Sequence, residues 1–238
     1  KLLKMDKKSF KTVTFTSAGY IDLTENLLQS IRQNNVNLDL IVYALDKEAE
    51  NHFLKKDVKV EYIKSDEVIS KELMKQSDSD FGELMLKKFY IIHKNLITNE
   101  NVLYVDGDIV IKRDFNDYFI NLMEKYEIIF QNDKRPSKPN VINVCAGFML
   151  IKSNKKMIKF FDPNKVPKKV INYKTHDQTH LNKSLNKFKY KILPLDSFPN
   201  GPFFYSNYPN IDPYIVHFNF IIGEDKISKM KELNEWYI

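Results

Sequence analysis

The sequence predicts an α/β fold in which helices flank a mixed, mainly parallel sheet. Between residues 12 and 63, three strand-like segments alternate with two helical segments, the pattern of parallel strands joined by crossover helices. Further on, an apolar strand runs into Asp106-Gly107-Asp108 and an apolar run resumes directly after it. Because ligands of such sheets bind outside the carboxyl ends of the strands, we expect a polar site at one sheet edge.

The elements of the first half follow from residue periodicity. A strand covers 12–17, residues 18–20 form a loop, and a helix begins near Asp22, where Asp-x-x-Glu is typical of a capping box. Two more strands are predicted at 38–45 and 58–63, with a short helix at 47–55 between them. Residues 65–80 are predicted to be an exposed connection. Met85, Phe89, Ile92 and Leu96 form one apolar stripe, which predicts a helix over 81–96.

The second half contains weaker signals of the same kind. Strands are predicted at 101–106, 127–131, 144–151 and 214–220, and helices at 117–125, 154–161, from 176 onward and around 226–233. The basic segment 132–140 is predicted to be a loop at the sheet edge. The proline- and aromatic-rich segment before residue 214 predicts an ordered loop region over a site, more than a regular layer.

Composition limits the class of protein. The 238 residues are 43% hydrophobic and 13% aromatic, which excludes a disordered chain and fits one domain over 1–238. The single cysteine, Cys145, cannot form an intrachain disulfide, which favours a reducing compartment. The net charge of +6 favours anionic ligands such as nucleotide phosphates. We find neither a secretory signal nor a run of about 20 apolar residues, and therefore expect a cytoplasmic protein with no membrane span.

The Asp106-Gly107-Asp108 tripeptide is the strongest candidate for a functional site in the sequence. Two adjacent carboxylates repel each other unless a cation lies between them, and hard oxygen ligands suit Mg²⁺ or Mn²⁺. The alternative is a solvated turn, since Asp-Gly is a common turn dipeptide. His217, at the end of an apolar strand, is the best candidate for a third ligand, although a hydrogen-bonded core histidine is the ordinary alternative.

Five motifs occur in the order of a known enzyme family. They are Asn-Val-Leu-Tyr-Val-Asp-Gly-Asp-Ile-Val-Ile at 101–111, Cys-Ala-Gly-Phe-Met-Leu-Ile-Lys at 145–152, Asp-Gln-Thr-His-Leu-Asn at 177–182, Phe-Pro-Asn-Gly at 198–201, and His-Phe-Asn at 217–219 followed by Gly223, Lys226 and Trp236. Together they resemble the metal-dependent nucleotide-diphospho-sugar transferases of GT-A fold, which include glycogenin- and galactosyltransferase-like enzymes and extensin arabinosyltransferase-like enzymes. The resemblance extends from Thr14 to Trp236 and implies a Mn²⁺- or Mg²⁺-dependent glycosyltransferase.

The resemblance also implies roles for individual residues. Asp106, Asp108 and His217 would hold Mn²⁺ against the donor diphosphate, and Lys226 with Gly223 would clamp that diphosphate. The other implied donor-binding residues are Thr16, Ser17 and Tyr20 at the nucleotide, Lys88 at the phosphate or sugar, and Tyr104 and Gly107 beside the carboxylate pair. Lys87 is an alternative to Lys88, and ordinary core or surface roles remain open for Tyr20 and both lysines.

Asp177 and Gln178 match the pair that faces the donor sugar in the family. In a retaining enzyme, which the resemblance suggests, Gln178 would lie near the anomeric carbon and Asp177 would bind sugar hydroxyls. Helix capping by Asp177 is the alternative interpretation. The chain departs from the family at Cys145, where relatives commonly carry an asparagine. Asn143, two residues earlier, could supply that amide only with a shift in strand register, so the donor sugar stays open.

The resulting prediction is a glycosyltransferase that moves a sugar from a nucleotide-diphosphate sugar, a UDP-hexose first, to an acceptor hydroxyl. The acceptor could be a glycan, a glycoprotein or a small molecule. A metal-dependent nucleotidyl or phosphoryl transferase is the alternative enzyme, although six glycines provide no phosphate-binding loop. A basic nucleic-acid-binding module is disfavoured because the lysines are scattered along the chain.

Overall fold

The computed structural model describes residues 10–64, 81–135, 137–138, 140–166 and 177–238. In these ranges the strands are β1 (Phe10–Thr16), β2 (Leu40–Ala44), β3 (Lys59–Tyr62), β4 (Asn101–Val105), β5 (Ile109–Ile111), β6 (Ile128–Asn132), β7 (Val144–Ile151), β8 (Tyr190–Ile192) and β9 (Ile215–His217). The α-helices are α1 (Ile21–Gln33), α2 (Lys47–Phe53), α3 (Phe81–Leu96), α4 (Asn116–Lys125), α5 (Lys155–Phe161), α6 (Asp177–Lys183), α7 (Gly201–Asn207) and α8 (Glu224–Glu232).

A seven-stranded sheet in the order β3-β2-β1-β4-β7-β6-β8 forms the centre of the molecule. All its neighbouring strands are parallel except β7, which runs antiparallel to both β4 and β6. The carboxyl ends of β1, β4 and β6 and the amino end of β7 therefore lie at the same edge. This mixed, mainly parallel sheet flanked by helices confirms the predicted fold class.

Alternating side chains of the sheet enter two separate cores. One face, with Val13, Tyr104 and Met149, packs with apolar residues of α3, α5 and α6. The opposite face, with Val42 and Leu103, packs with residues of α1, α2 and α4. Burial on both faces explains why the strands are continuous apolar runs in the sequence.

The segment after Asp106 leaves the main sheet. It forms β5, which pairs antiparallel with β9 in a separate two-stranded sheet. A small core of Leu23, Val110, Phe204, Val216, Phe218, Met230 and Leu233 joins this ribbon to α1, α7 and α8. The chain thus turns between two sheets at the Asp106–Asp108 pair.

Two local expectations need correction. Helix α1 has Tyr20 at its N-cap and Asp22 in its first turn, and Glu25 binds His52, so the predicted capping box is wrong. The proline-rich segment includes helix α7 and is more regular than expected, and the short strand β8, which lies just before Pro194, was not predicted. The predicted connection at 65–80 and the helix start at residue 176 lie outside the described residues, and α6 is described from Asp177.

Within the described ranges, no helix combines the length and the apolar character that crossing a bilayer requires.

Candidate active site

Asp106, Asp108 and His217 meet at the edge of the main sheet. Asp106 follows the last residue of β4, and its N–H donates to the Gly147 carbonyl at 2.7 Å. The β5–β9 ribbon places Ile109 opposite His217, and the Phe218 N–H donates to the Asp108 carbonyl at 3.1 Å. As a result, one ligand atom from each of the three side chains lies within 4.8 Å of the others. Tertiary structure brings together residues that are more than one hundred positions apart.

Gly147 makes this convergence possible because its missing side chain leaves space for two of the three groups. A Cβ atom at this position would lie 2.7 Å from His217 Cε1 and still closer to an Asp106 carboxylate oxygen. Gly107 is needed for a related reason, since a Cβ there would approach Thr24 Oγ1 of helix α1 to 2.7 Å. The glycine between the two aspartates therefore allows close packing against helix α1.

The imidazole of His217 is buried and held from both sides. Its Nδ1 lies 2.7 Å from Gln131 Oε1, and its Nε2 lies 3.2 Å from Asp108 Oδ1. Burial alone lowers the pKa of His217, but the Asp108 carboxylate outweighs this effect and raises that pKa well above the usual value. The Nε2 atom is thus the ring nitrogen that faces the Asp108 carboxylate.

A lysine also reaches the carboxylate pair from helix α8. Lys226 Nζ forms an ion pair with Asp108 Oδ2. Burial opposes ionisation of Asp108, yet Lys226 and His217 together hold the pKa of this carboxyl well below its usual range. The helix begins after Gly223, whose φ of +64° lies in the region that favours glycine. Gly223 is therefore required by backbone conformation, and open space surrounds the position of its absent side chain.

Lys88, on helix α3, occupies the other side of Asp106. Its Nζ lies 2.8 Å from Asp177 Oδ2 and 3.4 Å from Asp106 Oδ1, and donates to the Ala146 carbonyl at 3.2 Å. The side chain is only 4% exposed, and although burial favours the neutral amine, the two carboxylates raise the pKa of Lys88 above its usual value. Of the two candidate lysines, Lys88 lines the cleft and Lys87 does not.

A polar network around Asp133 completes the site. Gln178 Nε2 donates to Asp133 Oδ2 at 2.8 Å, Asn219 Nδ2 donates to Oδ1 at 2.8 Å, and Asn143 Nδ2 donates to Oδ2 at 3.1 Å. Burial raises the pKa of Asp133 in spite of these donors. Asn143 is thus bound to the Asp133 carboxylate, while Cys145 Sγ lies 3.6 Å from His217 Nδ1. Burial raises the pKa of the Cys145 thiol, which favours its neutral form.

The remaining predicted donor-binding residues divide into two groups. Tyr20, Tyr104, Gly107 and Gly223 line the same cleft as the carboxylates, and the Tyr104 hydroxyl donates to Asp106 Oδ1 at 2.7 Å. Thr16 and Ser17 are buried and do not line it; the Ser17 carbonyl instead accepts the Tyr20 N–H at 2.8 Å. The adjacent Phe15 does line the cleft.

The cleft measures about 550 Å³, which is enough for a small organic ligand. A groove of about 650 Å³ lies at the opposite edge of the sheet, among residues such as Leu28, Leu40 and Lys59. Among the described residues, the only cluster of three potential metal-ligating side chains is in the smaller cleft. The candidate site is therefore identified by its potential metal-ligating side chains and not by its volume, since the opposite groove is larger.

Comparison with known proteins agrees with this geometry. A family model described as nucleotide-diphospho-sugar transferase matches residues 36–233, well over half of the chain. The chain belongs to this family. The predicted family and the predicted enzyme class, a glycosyltransferase, are confirmed.

One curated relative is a UDP-galactose:fucoside alpha-3-galactosyltransferase of Dictyostelium discoideum, 25% identical over 98% of this chain. The glycosyltransferase chain spans 44% of that relative's length. Among solved structures, galactosyltransferase LgtC in complex with donor and acceptor sugar analogs superimposes with a TM-score of 0.64 at 12% identity, covering 96% of this chain and 95% of that one. GlyE of Streptococcus pneumoniae TIGR4 gives 0.59 at 17% identity, covering 96% and 64%. These structures confirm the GT-A fold.

Sequence reasoning missed Asp133, Gln131 and Asn219 as members of the site. Asp133 directly follows β6, which runs parallel to β4, so the rule that selected Asp106 at a strand's carboxyl end applies to Asp133 as well. Because lysines and an arginine follow Asp133, residues 132–140 are predicted to be a basic loop. Gln131 carries no comparable signal, because an amide near a strand end is common. Asn219 lies in the His-Phe-Asn motif at 217–219, but the motif by itself assigned it no contact.

Proposed function

We propose that this glycosyltransferase transfers a hexose from a UDP-sugar to an acceptor hydroxyl, with Mn²⁺ bound by Asp106, Asp108 and His217 and with retention of anomeric configuration. The observation that carries the proposal is the convergence of these three side chains within 4.8 Å at the carboxyl end of β4. Galactose is the first sugar to test, because the curated relative is named as a UDP-galactose enzyme and LgtC as a galactosyltransferase.

The residues present fit a divalent cation. Two carboxylates and one imidazole form a donor set that suits Mn²⁺ and accepts Mg²⁺. The absence of a side chain at Gly147 leaves the Asp106 carboxylate and the His217 ring in the same small space. When bound, the cation would neutralise charge that develops on the leaving nucleoside diphosphate.

The cationic side chains of the cleft support the same reaction. Lys226 and Lys88 flank the carboxylates on opposite sides, Lys226 beside Asp108 and Lys88 beside Asp106. In the proposed donor complex Lys226 contacts the diphosphate, where its positive charge favours departure of the nucleotide. Tyr20, which also lines the cleft, supplies an aromatic ring for the nucleotide base.

Support for retention comes from the partners of the four carboxylates that line the cleft. An inverting transfer requires a general base that removes the acceptor proton, and each of these carboxylates is already engaged by other groups. Asp106 and Asp108 belong to the proposed metal site, Asp177 is paired with Lys88, and Asp133 accepts hydrogen bonds from three amides. Gln178, which donates to Asp133, is the proposed residue near the anomeric carbon, with Asp177 as the ligand of sugar hydroxyls.

The acceptor is proposed only by class, as a glycan hydroxyl. The cleft-lining residues Arg135, Phe220, Ile221 and Ile222 offer both charge and apolar surface to such a molecule. Placement of all 238 residues in one catalytic domain, and a cytoplasmic location, likewise stay proposals. Family membership favours this function over the nucleotidyl-transferase and nucleic-acid-binding alternatives.

The decisive experiment measures UDP release from a panel of UDP-hexoses and UDP-pentoses, with Mn²⁺, with Mg²⁺ and with EDTA. We expect Mn²⁺-dependent turnover that Asp108→Asn reduces about a hundred- to a thousandfold, the scale of removing a main electrostatic stabiliser. Asp212→Asn is the matched control because Asp212 is exposed on the surface. Metal-independent turnover, or equal activity of Asp108→Asn, would contradict the metal assignment. The anomeric configuration of a transfer product, read by NMR, tests retention separately.

A further inference from the structure

Gln131 is a fully buried residue of strand β6, at a point where the pairing of the main sheet is irregular. The pairing of β6 with β7 shifts register between Phe130 and Asn132, which places Gln131 at the break. Such irregularities commonly redirect a side chain next to an active site. Here the amide of Gln131 reaches the ring of His217, and its Oε1 lies 2.7 Å from Nδ1.

The orientation of this amide is fixed by its other partners. Gln131 Nε2 donates to the Pro199 carbonyl at 2.7 Å and lies 3.4 Å from the Phe198 carbonyl. Both partners are carbonyl oxygens, which only accept hydrogen bonds. The NH₂ end of the amide must therefore face the 198–199 backbone, and the acceptor end must face His217.

This orientation determines which ring nitrogen carries a proton. An amide oxygen 2.7 Å from Nδ1 requires a proton on Nδ1, since two acceptors at that distance would repel each other. The Cys145 thiol lies farther from Nδ1, at 3.6 Å, and is a weak hydrogen-bonding group. In the neutral imidazole the lone pair is then on Nε2, which faces Asp108.

We infer that Gln131 is a positioning residue that fixes the tautomer and ring angle of His217, so that Nε2 is presented as a metal ligand. The inference rests on the proposed metal site and assigns no contact between Gln131 and the substrate. Outer-shell partners of this kind typically change metal affinity about 10- to 100-fold when removed.

Two substitutions separate this role from a purely structural one. Gln131→Met preserves length but removes the acceptor at Nδ1. Gln131→Glu keeps a carboxylate acceptor at Nδ1 while losing the donor to the Pro199 carbonyl. We expect the Met variant to weaken Mn²⁺ binding about 10- to 100-fold, and the Glu variant to lose clearly less affinity than the Met variant.

Mn²⁺ alone is the probe, and its dissociation constant is measured from the EPR signal of the free ion, with thermal unfolding recorded for each variant. Equal loss of affinity in both variants, or undiminished affinity in Gln131→Met, would overturn the inference. If the unsubstituted protein and Asp108→Asn bind Mn²⁺ equally, the proposed metal site itself is wrong, and the inference falls with it.

A measurement on the unsubstituted protein avoids any folding defect of the variants. Long-range ¹H–¹⁵N correlation spectra of the protein loaded with diamagnetic Mg²⁺ report the tautomer of each histidine, and His217→Gln identifies the signal of His217. We expect a proton on Nδ1 and none on Nε2. The opposite tautomer, or a fully protonated ring in the loaded protein, would refute the role of Gln131.

Discussion

Lys226 forms an ion pair with Asp108, the same carboxylate that we assign to the divalent cation. Both side chains are largely buried, at 14% and 13% exposure. In the nucleotide-free protein the ammonium group thus supplies the positive charge that neighbouring carboxylates require. Lys226 and the cation should therefore compete for Asp108 until a diphosphate offers the lysine another anion.

The first prediction concerns this competition. Lys226→Met should bind Mn²⁺ at least about tenfold more tightly than the unsubstituted protein in the absence of nucleotide, since a charged hydrogen bond worth about 1.5 kcal/mol or more no longer opposes the metal. The same variant should bind UDP more weakly in the presence of Mn²⁺. Isothermal titration calorimetry measures both affinities.

Lys229→Met is the control for that variant, because Lys229 pairs with Glu232 on the surface of the same helix. It should leave both affinities unchanged. Weaker Mn²⁺ binding by Lys226→Met without nucleotide would show that no such competition exists.

The second prediction concerns Lys88. Lys88→Met would leave the Asp177 and Asp106 carboxylates without their shared buried cation, which should reduce the free energy of unfolding by about 3–5 kcal/mol. Urea denaturation of the metal-free protein measures this loss. The adjacent Lys87→Met variant is the comparison, and a similar loss in both would argue against a special role for Lys88.

The third prediction tests the space at Gly147. Gly147→Ala adds a methyl group 2.7 Å from His217 Cε1 and in conflict with the Asp106 carboxylate, so at least one ligand must move. We expect Mn²⁺ affinity to fall at least about tenfold, the range seen when ligand geometry is disturbed. Cys145→Ala, which removes atoms beside His217 without adding volume, should retain binding. Normal Mn²⁺ affinity in Gly147→Ala would mean that the three groups do not share one ion.

The fourth prediction concerns stability in acid. Glu25 is mostly buried; burial opposes its ionisation, but contacts with Lys56 and His52 lower its pKa overall. A lowered folded-state pKa stabilises the protein above the unfolded value near 4.5, and this stabilisation is lost as the pH falls through the folded value.

Glu25→Gln removes that titration. Its midpoint of thermal unfolding should lie below that of the unsubstituted protein at pH 7, and the difference should shrink from about pH 5 downward. Differential scanning calorimetry from pH 7 to pH 3 measures the trend, with the exposed Glu224→Gln as a control. A difference that grows in acid would contradict the assigned sign.

Local apolar patterns in the sequence predict most of the helices and strands of this fold. Helix α3 and strand β7 have the predicted bounds. The helix shows an apolar stripe over its sixteen residues, and the strand is an apolar run of eight residues that is buried on both faces. Helix α7 and strand β8 were not predicted because both are short, and prolines lie within and on both sides of the helix. Tertiary packing stabilises such short elements more than their own sequence does.

The features of the candidate site also fall into those that sequence motifs predict and those that only the folded chain shows. The family resemblance and the residue types of the site are readable in the linear motifs, because Asp106, Asp108 and His217 lie in ordered motifs at strand ends. The pairing of Lys226 with Asp108, the contact of Gln131 with His217 and the contact of Asp133 with Gln178 are visible only in the folded chain. Those contacts connect distant segments, and their hydrogen-bonding directions depend on atoms that no linear pattern specifies.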